Sequence, residues 1–412
     1  MPKELLEGSH AIALTIKNIK PDVVAAYPIT PQTHIVEDLA KFKADGEADY
    51  EYARAESEFA AASIVLGASA TGARTYTATS SQGLLLMAEV IYNIAGMRLP
   101  VVMTCANRAI SAPINIWNDH QDAMSVRDAG WIMLFAENSQ ESVEQHIIAY
   151  KIAEKLNLPV MVNVDGFLLT HTYEPVEIPS PKEIKKFLPD HKPKPGTFLD
   201  PKNPITMGAL ATPAHYMEIR EELQNDLLAS KTIIQKEFEN YHRIIKTKKQ
   251  IPNSPLPAGR QEFPIPNSSS FFEYYGPKNP KTIVVAMGSI IGTIKETVDE
   301  LRPTSPLAPL LGKRGGASEV GVLKIKLYRP FPTEEIIKAL KPASNIIVLD
   351  RAISLGNIGP LALDIKSASY GKLKANISNY VVGLGGRDVT KEIIKKIIAK
   401  AGVRNDGAIF ER

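Results

Sequence analysis

The first 170 residues alternate short apolar runs with stretches whose apolar residues recur every three or four positions. "DVVAAYPI" and "ARTYTATS" read as strands, and "PVVMTCA" and "PVMVNVDGF" are short apolar runs that suit a sheet covered on both faces. Between them, "PQTHIVEDLAKF" sets Ile35, Leu39 and Phe42 on one helical face. "FAAASIVLGAS" reads as a small-residue helix ending near Gly67 or Gly72, and "GLLLMAEVIYNIAGM" as one mostly buried helix. "ELLEGSHAIALTIKNIK" is helix-like from its start. Strands separated by helices imply parallel pairing in an α/β sandwich.

From His215 to about Thr247 a long amphipathic helix is predicted, with Tyr216, Ile219, Leu223, Leu227, Ile234, Phe238, Tyr241 and Ile245 as its apolar stripe. It runs into "QIPNSPLPAGRQEFPIPNSSS", whose prolines and serines sustain neither helix nor central strand. The α/β pattern then resumes with "KTIVVAMGS", a helix from Thr293, "VGVLKIKLYRPFP", a helix from Thr333, and "NIIVLDRAIS". The predicted organisation is one domain over 1–247, a Pro/Ser-rich linker or insert over 248–278, and a second α/β domain over 279–412. "RPTSPLAPLLGKRGGASE" (302–319) is long for a helix-to-strand connection. This tract and the one near 251–270 are read as surface loops without assigned function.

Bulk chemistry narrows the classes. The 412 residues correspond to two to three domains at about 150 residues each, and 44% apolar with 23% charged residues is ordinary for a globular chain. A net charge of +3 implies no polyanionic partner such as nucleic acid. "MPKELLEGSHAIALTIKN" carries acids and a histidine before any apolar run, unlike a signal peptide. No stretch approaches the roughly 20 apolar residues of a membrane span, so a cytoplasmic protein without membrane contact is expected. Cys105 is the one cysteine, which excludes internal disulfides, a cysteine-held zinc site and a four-thiolate iron–sulfur cluster in this chain. Electron transfer would need another subunit.

Polar residues cluster where the apolar runs end. Thr30 suits a helix N-cap and Pro31 the first helical position, which would aim a helix N-terminus past the carboxyl end of a strand. Open parallel sheets bind ligands at that edge, although a plain cap accounts for this corner by itself. Ser80, Ser81, Gln82, Asn107, Arg108 and Asp165 end other strands and share the edge if the sheet is parallel. Glu56 and Glu58 flank Ser57, a possible cap, and Glu58 precedes Phe59 and a run of alanines. A carboxylate against apolar packing has a raised pKa and suits proton transfer; acids at a helix N-terminus need no such role. "NDHQD" (118–122) matches no standard metal-ligand spacing and reads as loop packing. "GLGGRD" (383–388) lacks a dinucleotide fingerprint and reads as a tight turn capped by Asp388. Cys105, inside an apolar run, reads as core.

Taken in order, "AAYPITPQT", "ESEFAAASIVLGASATGARTYTATSSQGLLLM", "NRAISAPINIWNDHQDAMSVRDAGW", "VDGFLLTHTYEPVEIP", "KLYRPFP" and "GLGGRDVT" give the chain a strong resemblance to a known family. It resembles the α subunit of pyruvate:ferredoxin oxidoreductases, within the thiamin-diphosphate-dependent 2-oxoacid:ferredoxin oxidoreductases, over nearly all its length outside the two inserts. The resemblance implies an α/β fold: a thiamin-diphosphate-binding domain of the pyrimidine type followed by a transketolase C-terminal-like domain. It maps substrate contact to Thr30, the cofactor's aminopyrimidine to Glu58 rather than Glu56, and the substrate carboxylate to Arg108. The implied reaction is oxidative decarboxylation of pyruvate with coenzyme A to acetyl-CoA and carbon dioxide, electrons passing to ferredoxin. A branched-chain enzyme acting on 2-oxoisovalerate, or a non-catalytic scaffold subunit, are the alternatives. The family's Gly-Asp-Gly segment with a downstream Asn has no counterpart beyond "VDG" (164–166) and "NDG" (405–407). The diphosphate and Mg2+ are therefore expected on a β subunit, the iron–sulfur clusters on further γ and δ (or fused) subunits, and no metal ligand in this chain.

Overall fold

The structure, a computed structural model, describes residues 3–246, 271–301, 319–403 and 407–411. Both predicted inserts, apart from Glu319, and Asn405 and Asp406 of "NDG" lie outside the described residues. The chain divides into two compact units, Met1–Lys248 and Lys249–Arg412.

In the first unit the chain runs β1 (Glu4–Glu7), α1 (Gly8–Ile19), β2 (Val23–Ala26), α2 (Thr33–Ala44), β3 (Glu51–Arg54) and α3 (Glu58–Ala70). Next come β4 (Thr75–Thr79), α4 (Ser81–Leu86), α5 (Ala88–Gly96), β5 (Val102–Asn107) and α6 (Gln121–Ser125). The unit is completed by β6 (Ile132–Phe135), α7 (Ser139–Leu156), β7 (Val160–Asp165), β8 (Tyr173–Val176), α8 (Pro181–Phe187) and α9 (Pro213–Tyr241). Strands β6, β7, β5, β4, β2 and β3 lie side by side in that order, parallel throughout. Every residue of β4, β5, β6 and β7 is buried, as a sheet with both faces covered requires. The segments that follow β2, β3, β4, β5 and β7 therefore gather at one carboxyl edge.

Three local expectations need correction. Residues Glu4–Glu7, predicted as helix, pair antiparallel with β8 instead. Helix begins at Gly8, where a Cβ would fall 1.7 Å from the Leu169 carbonyl oxygen, so only glycine fits. The single helix predicted over "GLLLMAEVIYNIAGM" is two, parted at Met87. Finally, α9 ends its regular turns at Tyr241 and passes into a π-helical turn over His242–Lys246. Of its predicted stripe, Leu223, Ile234, Phe238 and Tyr241 are buried while Tyr216 and Ile219 are exposed. The helix is anchored on α7 toward its far end, where Lys155 donates to Glu237 at 2.6 Å.

The second unit holds β9 (Phe272–Tyr275), β10 (Thr282–Ala286), α10 (Ile290–Leu301), β11 (Val320–Ile325), β12 (Leu327–Arg329) and α11 (Thr333–Leu340). β13 (Asn345–Asp350), α12 (Pro360–Ser369), β14 (Asn376–Val381), α13 (Lys391–Ala399) and β15 (Ala408–Phe410) follow. Its sheet has the order β15-β14-β13-β10-β11-β9, parallel except for β9 against β11. Ile291, Ile294 and Val298 of α10 pack with Val284, Val322, Ile347 and Ile394 to form its core. Strand β9 falls within the stretch read as linker, because Phe272 and Tyr274 alternate inward just after the Pro/Ser tract. Thr390, not Asp388, caps α13 by accepting from Ile393 N.

On β9, Glu273 serves three lysines: Lys295 at 2.9 Å, Lys324 at 3.6 Å and Lys326 at 3.8 Å. Burial pulls its pKa up, but the charges of Lys324, Lys295 and Lys326 outweigh that and hold it down at about 2. An unfolded Glu titrates near pH ~4.3, so this stabilisation is complete above that value and is lost as pH falls through the folded pKa. Glu273→Gln is expected to destabilise the second unit by on the order of 2–3 kcal/mol at pH 6. The gap from wild type should close as pH falls toward about 2, the folded pKa. Denaturant titrations of both proteins across that range test this, and a pH-independent gap contradicts it.

Candidate active site at the carboxyl edge of the parallel sheet

The corner after β2 is built differently from a simple capped helix. Gln32 N donates to Ile29 O at 2.8 Å, closing a turn ahead of α2. The buried Gln32 side chain accepts from Ile29 N at 3.2 Å and donates to Ala78 O of β4 at 2.7 Å. Helix α2 starts at Thr33, and the Thr30–Pro31 peptide is cis. Thr30 is thus not the N-cap it was expected to be, because the Ile29–Gln32 turn intervenes. Its exposed residue sits at the tip of the corner, with its carbonyl turned to Arg108.

Arg108 leaves the end of β5 and is buried. Its Nη1 donates to Thr30 O at 2.9 Å and its Nε to Asn115 O at 3.0 Å. Among the described residues no carboxylate forms an ion pair with its guanidinium. Burial lowers its pKa, a shift that Asp122 opposes. Two of the three expected site residues therefore meet directly: the corner holds the arginine, and the arginine retains donors for an anion.

The acid that positions this arginine lies in "NDHQD", the segment read as loop packing, and its role as an anchor was not foreseen. Asp122, fully buried in α6, accepts from Ser81 N at 3.0 Å and Arg108 N at 2.9 Å. It also accepts from Asn107 Nδ2 at 3.0 Å and Ala123 N at 2.7 Å. Burial pushes its carboxyl above the usual range, opposed by the donors from Ser81, Asn107, Arg108 and Ala123. One side chain thereby pins the ends of β4 and β5 together. Nearby, His120 Nε2 lies 2.7 Å from Asp165 Oδ1, both buried. The segment "NDHQD" is loop packing, as read, but packing that sets the geometry of the edge. Cys105 Sγ lies 3.5 Å from Asp122 and its pKa is raised, first by burial and then by that acid. It belongs to the core.

Glu58 opens α3, whose N-cap Ser57 accepts from Ala60 N at 3.1 Å. The glutamate is only 8% exposed, whereas Glu56 lies outside the helix. A Cβ on Gly83 would fall 2.7 Å from Glu58 Oε1 and 2.5 Å from Thr79 Oγ1, so glycine is needed for α4 to close on the carboxylate. In the turn from β4 into α4, Thr79 Oγ1, Ser80 Oγ and Gln82 Nε2 are buried with no hydrogen-bond partner among the described residues. Such groups cost free energy unless a ligand satisfies them. A polar heterocycle edge meeting Glu58 fits this cradle. A diphosphate with Mg2+ needs a set of hard oxygen ligands, and the carboxylate of "VDG", Asp165, is already held by His120.

Against this geometry, residues 15–239 match the family described as pyruvate flavodoxin/ferredoxin oxidoreductase, thiamine-diphosphate-binding. The chain belongs to that family. Residues 281–394 match pyruvate:ferredoxin oxidoreductase core domain II. Pyruvate synthase subunit PorA of Methanocaldococcus jannaschii is 46% identical over 398 residues, covering 96% of this chain and 94% of the relative. The same-named subunit of Pyrococcus furiosus is 41% identical over 413 residues, 98% of this chain and 96% of the relative. Ketoisovalerate oxidoreductase subunit VorA of Pyrococcus horikoshii is 40% identical over 404 residues, 96% and 92% of the two chains. In fold, a 2-oxoglutarate:ferredoxin oxidoreductase from Magnetococcus marinus matches with a TM-score of 0.66 at 19% identity. The match spans 97% of this chain and 65% of that one. The expected α/β fold, with a thiamin-diphosphate-binding domain first, is the one found. Among the described residues no helix is long and apolar enough to cross a membrane.

Proposed function

We propose that this oxidoreductase chain is the α subunit of a pyruvate:ferredoxin oxidoreductase and supplies half of the active site. The observation that carries the reading is a buried arginine, its guanidinium held by carbonyls and in no ion pair among the described residues, on the same sheet edge as a buried glutamate. Arg108 would take the substrate carboxylate in its planar fork of donors. Thr30, at the tip of the corner, would line the substrate. Glu58 would hold a ring nitrogen of the aminopyrimidine and the proton that passes there. Thiamin diphosphate, when bound, supplies the electron sink that makes loss of carbon dioxide feasible.

Partner chains complete the proposed enzyme. A β subunit would grip the diphosphate and Mg2+, γ and δ or fused subunits would carry iron–sulfur clusters, and ferredoxin would take the electrons. Coenzyme A, recorded as bound in the Magnetococcus marinus structure, would accept the acyl group here too. Pyruvate is favoured over 2-oxoisovalerate because the relatives named pyruvate synthase reach 46% identity against 40% for the ketoisovalerate subunit. The test is the native complex assayed with both 2-oxoacids, coenzyme A and a viologen acceptor. A kcat/KM at least about tenfold higher for pyruvate is expected, about 1.4 kcal/mol of discrimination. Preference for 2-oxoisovalerate assigns the complex to the branched-chain enzymes.

A further inference from the structure

We infer that Glu7, His34 and His171 form a binding site for one divalent transition-metal ion of the zinc class. The three come from separate segments, the end of β1, the first turn of α2 and the loop after β7, yet their ligand atoms lie within 4.8 Å of one another. Glu7 Oε1 is 2.6 Å from His34 Nδ1, and the His34 and His171 ring centroids are 4.6 Å apart. Tetrahedral zinc with bonds of about 2.0–2.1 Å sets its ligand atoms roughly 3.3 Å apart. Side-chain rotation of the exposed His34 and the half-buried Glu7 toward His171 would bring the set from within 4.8 Å to that spacing.

A second observation supports the ligand role. His171 Nδ1 lies 2.7 Å from Thr170 Oγ1, which is itself held by Phe167 N at 2.8 Å. With Nδ1–H donating to that oxygen, the Nε2 lone pair is the free one, as in metal-bound histidines oriented through their other nitrogen. Phe167 packs on the same ring at 4.7 Å between centroids and limits its rotation. Two imidazoles and one carboxylate suit zinc, cobalt or nickel and disfavour Mg2+ or Ca2+. An open cleft lined by Glu7, His10, His34, Glu37 and Asp38 provides an entry path of negative charge. His10, engaged with Asp38 at 2.8 Å, stands outside the ligand set and serves as a control.

The ion would act as a clip between β1, α2 and the β7 loop, just behind the Thr30 corner. The experiment uses the tag-free full chain, stripped with EDTA and titrated with Zn2+ by calorimetry and with Co2+ by visible absorption. The expected result is one ion per chain, a tetrahedral Co2+ spectrum, and a Tm raised by Zn2+. His34→Ala, His171→Gln and Glu7→Gln should each weaken Zn2+ by at least about tenfold and abolish the Tm rise, with unchanged circular dichroism. His10→Ala should bind as wild type. No saturable Zn2+ binding by wild type, or ligand variants that bind as tightly as wild type, overturns the site and leaves the Glu7–His34 pair as a simple ion pair.

Discussion

Glu58→Gln in the assembled complex is expected to lower kcat for pyruvate oxidation by about 10²–10⁴-fold, the range associated with losing a positioned proton-transfer group. The substitution keeps the volume of the side chain, so Gly83, which closes on the carboxylate, need not move. What changes is chemistry. A carboxylate accepts at both oxygens and can hold a proton, whereas the amide turns one of those positions into a donor. A ring nitrogen that needs a proton shared with Glu58 would then face a group that cannot relay it. Because Glu58 opens α3 next to its cap Ser57, the variant also loses a favourable charge at a helix N-terminus, worth about 0.3–1 kcal/mol. That loss is too small to unfold a domain, so the measured Tm should move by only a few degrees. Steady-state kinetics on the complex, with thiamin diphosphate affinity measured in parallel, separate the roles. Turnover equal to wild type would sink the proton-handling assignment and favour a scaffold subunit.

How far the chain could be read follows from which interactions leave a local trace. Fully buried β5 and β7 write themselves as apolar runs and β4 as a run of threonines and tyrosine with strand preference, so all three were legible, and their parallel pairing brought Arg108 and Glu58 to one edge. The Thr30 corner was legible as a place but not as a geometry. The Thr-Pro pair resembles a cap, while the residue that organises the corner is Gln32, through a bond to Ala78 that is 46 positions away in sequence. Asp122 was hidden for a related reason: it binds backbone N–H groups of Ser81 and Arg108, and a backbone amide has no sequence signature. The one local hint was an acid followed at once by apolar Ala123 and Met124. The triad of Glu7, His34 and His171 has no periodic spacing at all and exists only through the fold. Strand β9 was lost because its alternation is four residues long and borders a Pro/Ser tract.

The arginine gives the most discriminating measurement. Arg108→Lys keeps the charge but gives up the planar fork, and an ammonium cannot hold Thr30 O and Asn115 O while presenting paired donors to a carboxylate. At 4 Å and an effective dielectric near 20, a carboxylate gains roughly 4 kcal/mol from this cation before desolvation, against about 1 kcal/mol in water. Most of that attraction survives in lysine; the lost part is the charge-assisted hydrogen bonding, about 1.5–3 kcal/mol. KM for pyruvate should therefore rise by about 10- to 150-fold with kcat changed much less, the signature of a binding contact made equally in ground and transition states. Arg108→Gln, which removes the charge as well, should go further in the same direction. Since Asp122 still anchors the backbone N–H of residue 108 in both variants, the edge itself stays in place. A substrate lacking the carboxylate, such as acetaldehyde, never used this contact and should show the same KM with wild type and variant. If pyruvate and the aldehyde lose affinity together, Arg108 shapes the corner around Thr30 rather than recognising the acid, and the carboxylate must be held by another residue.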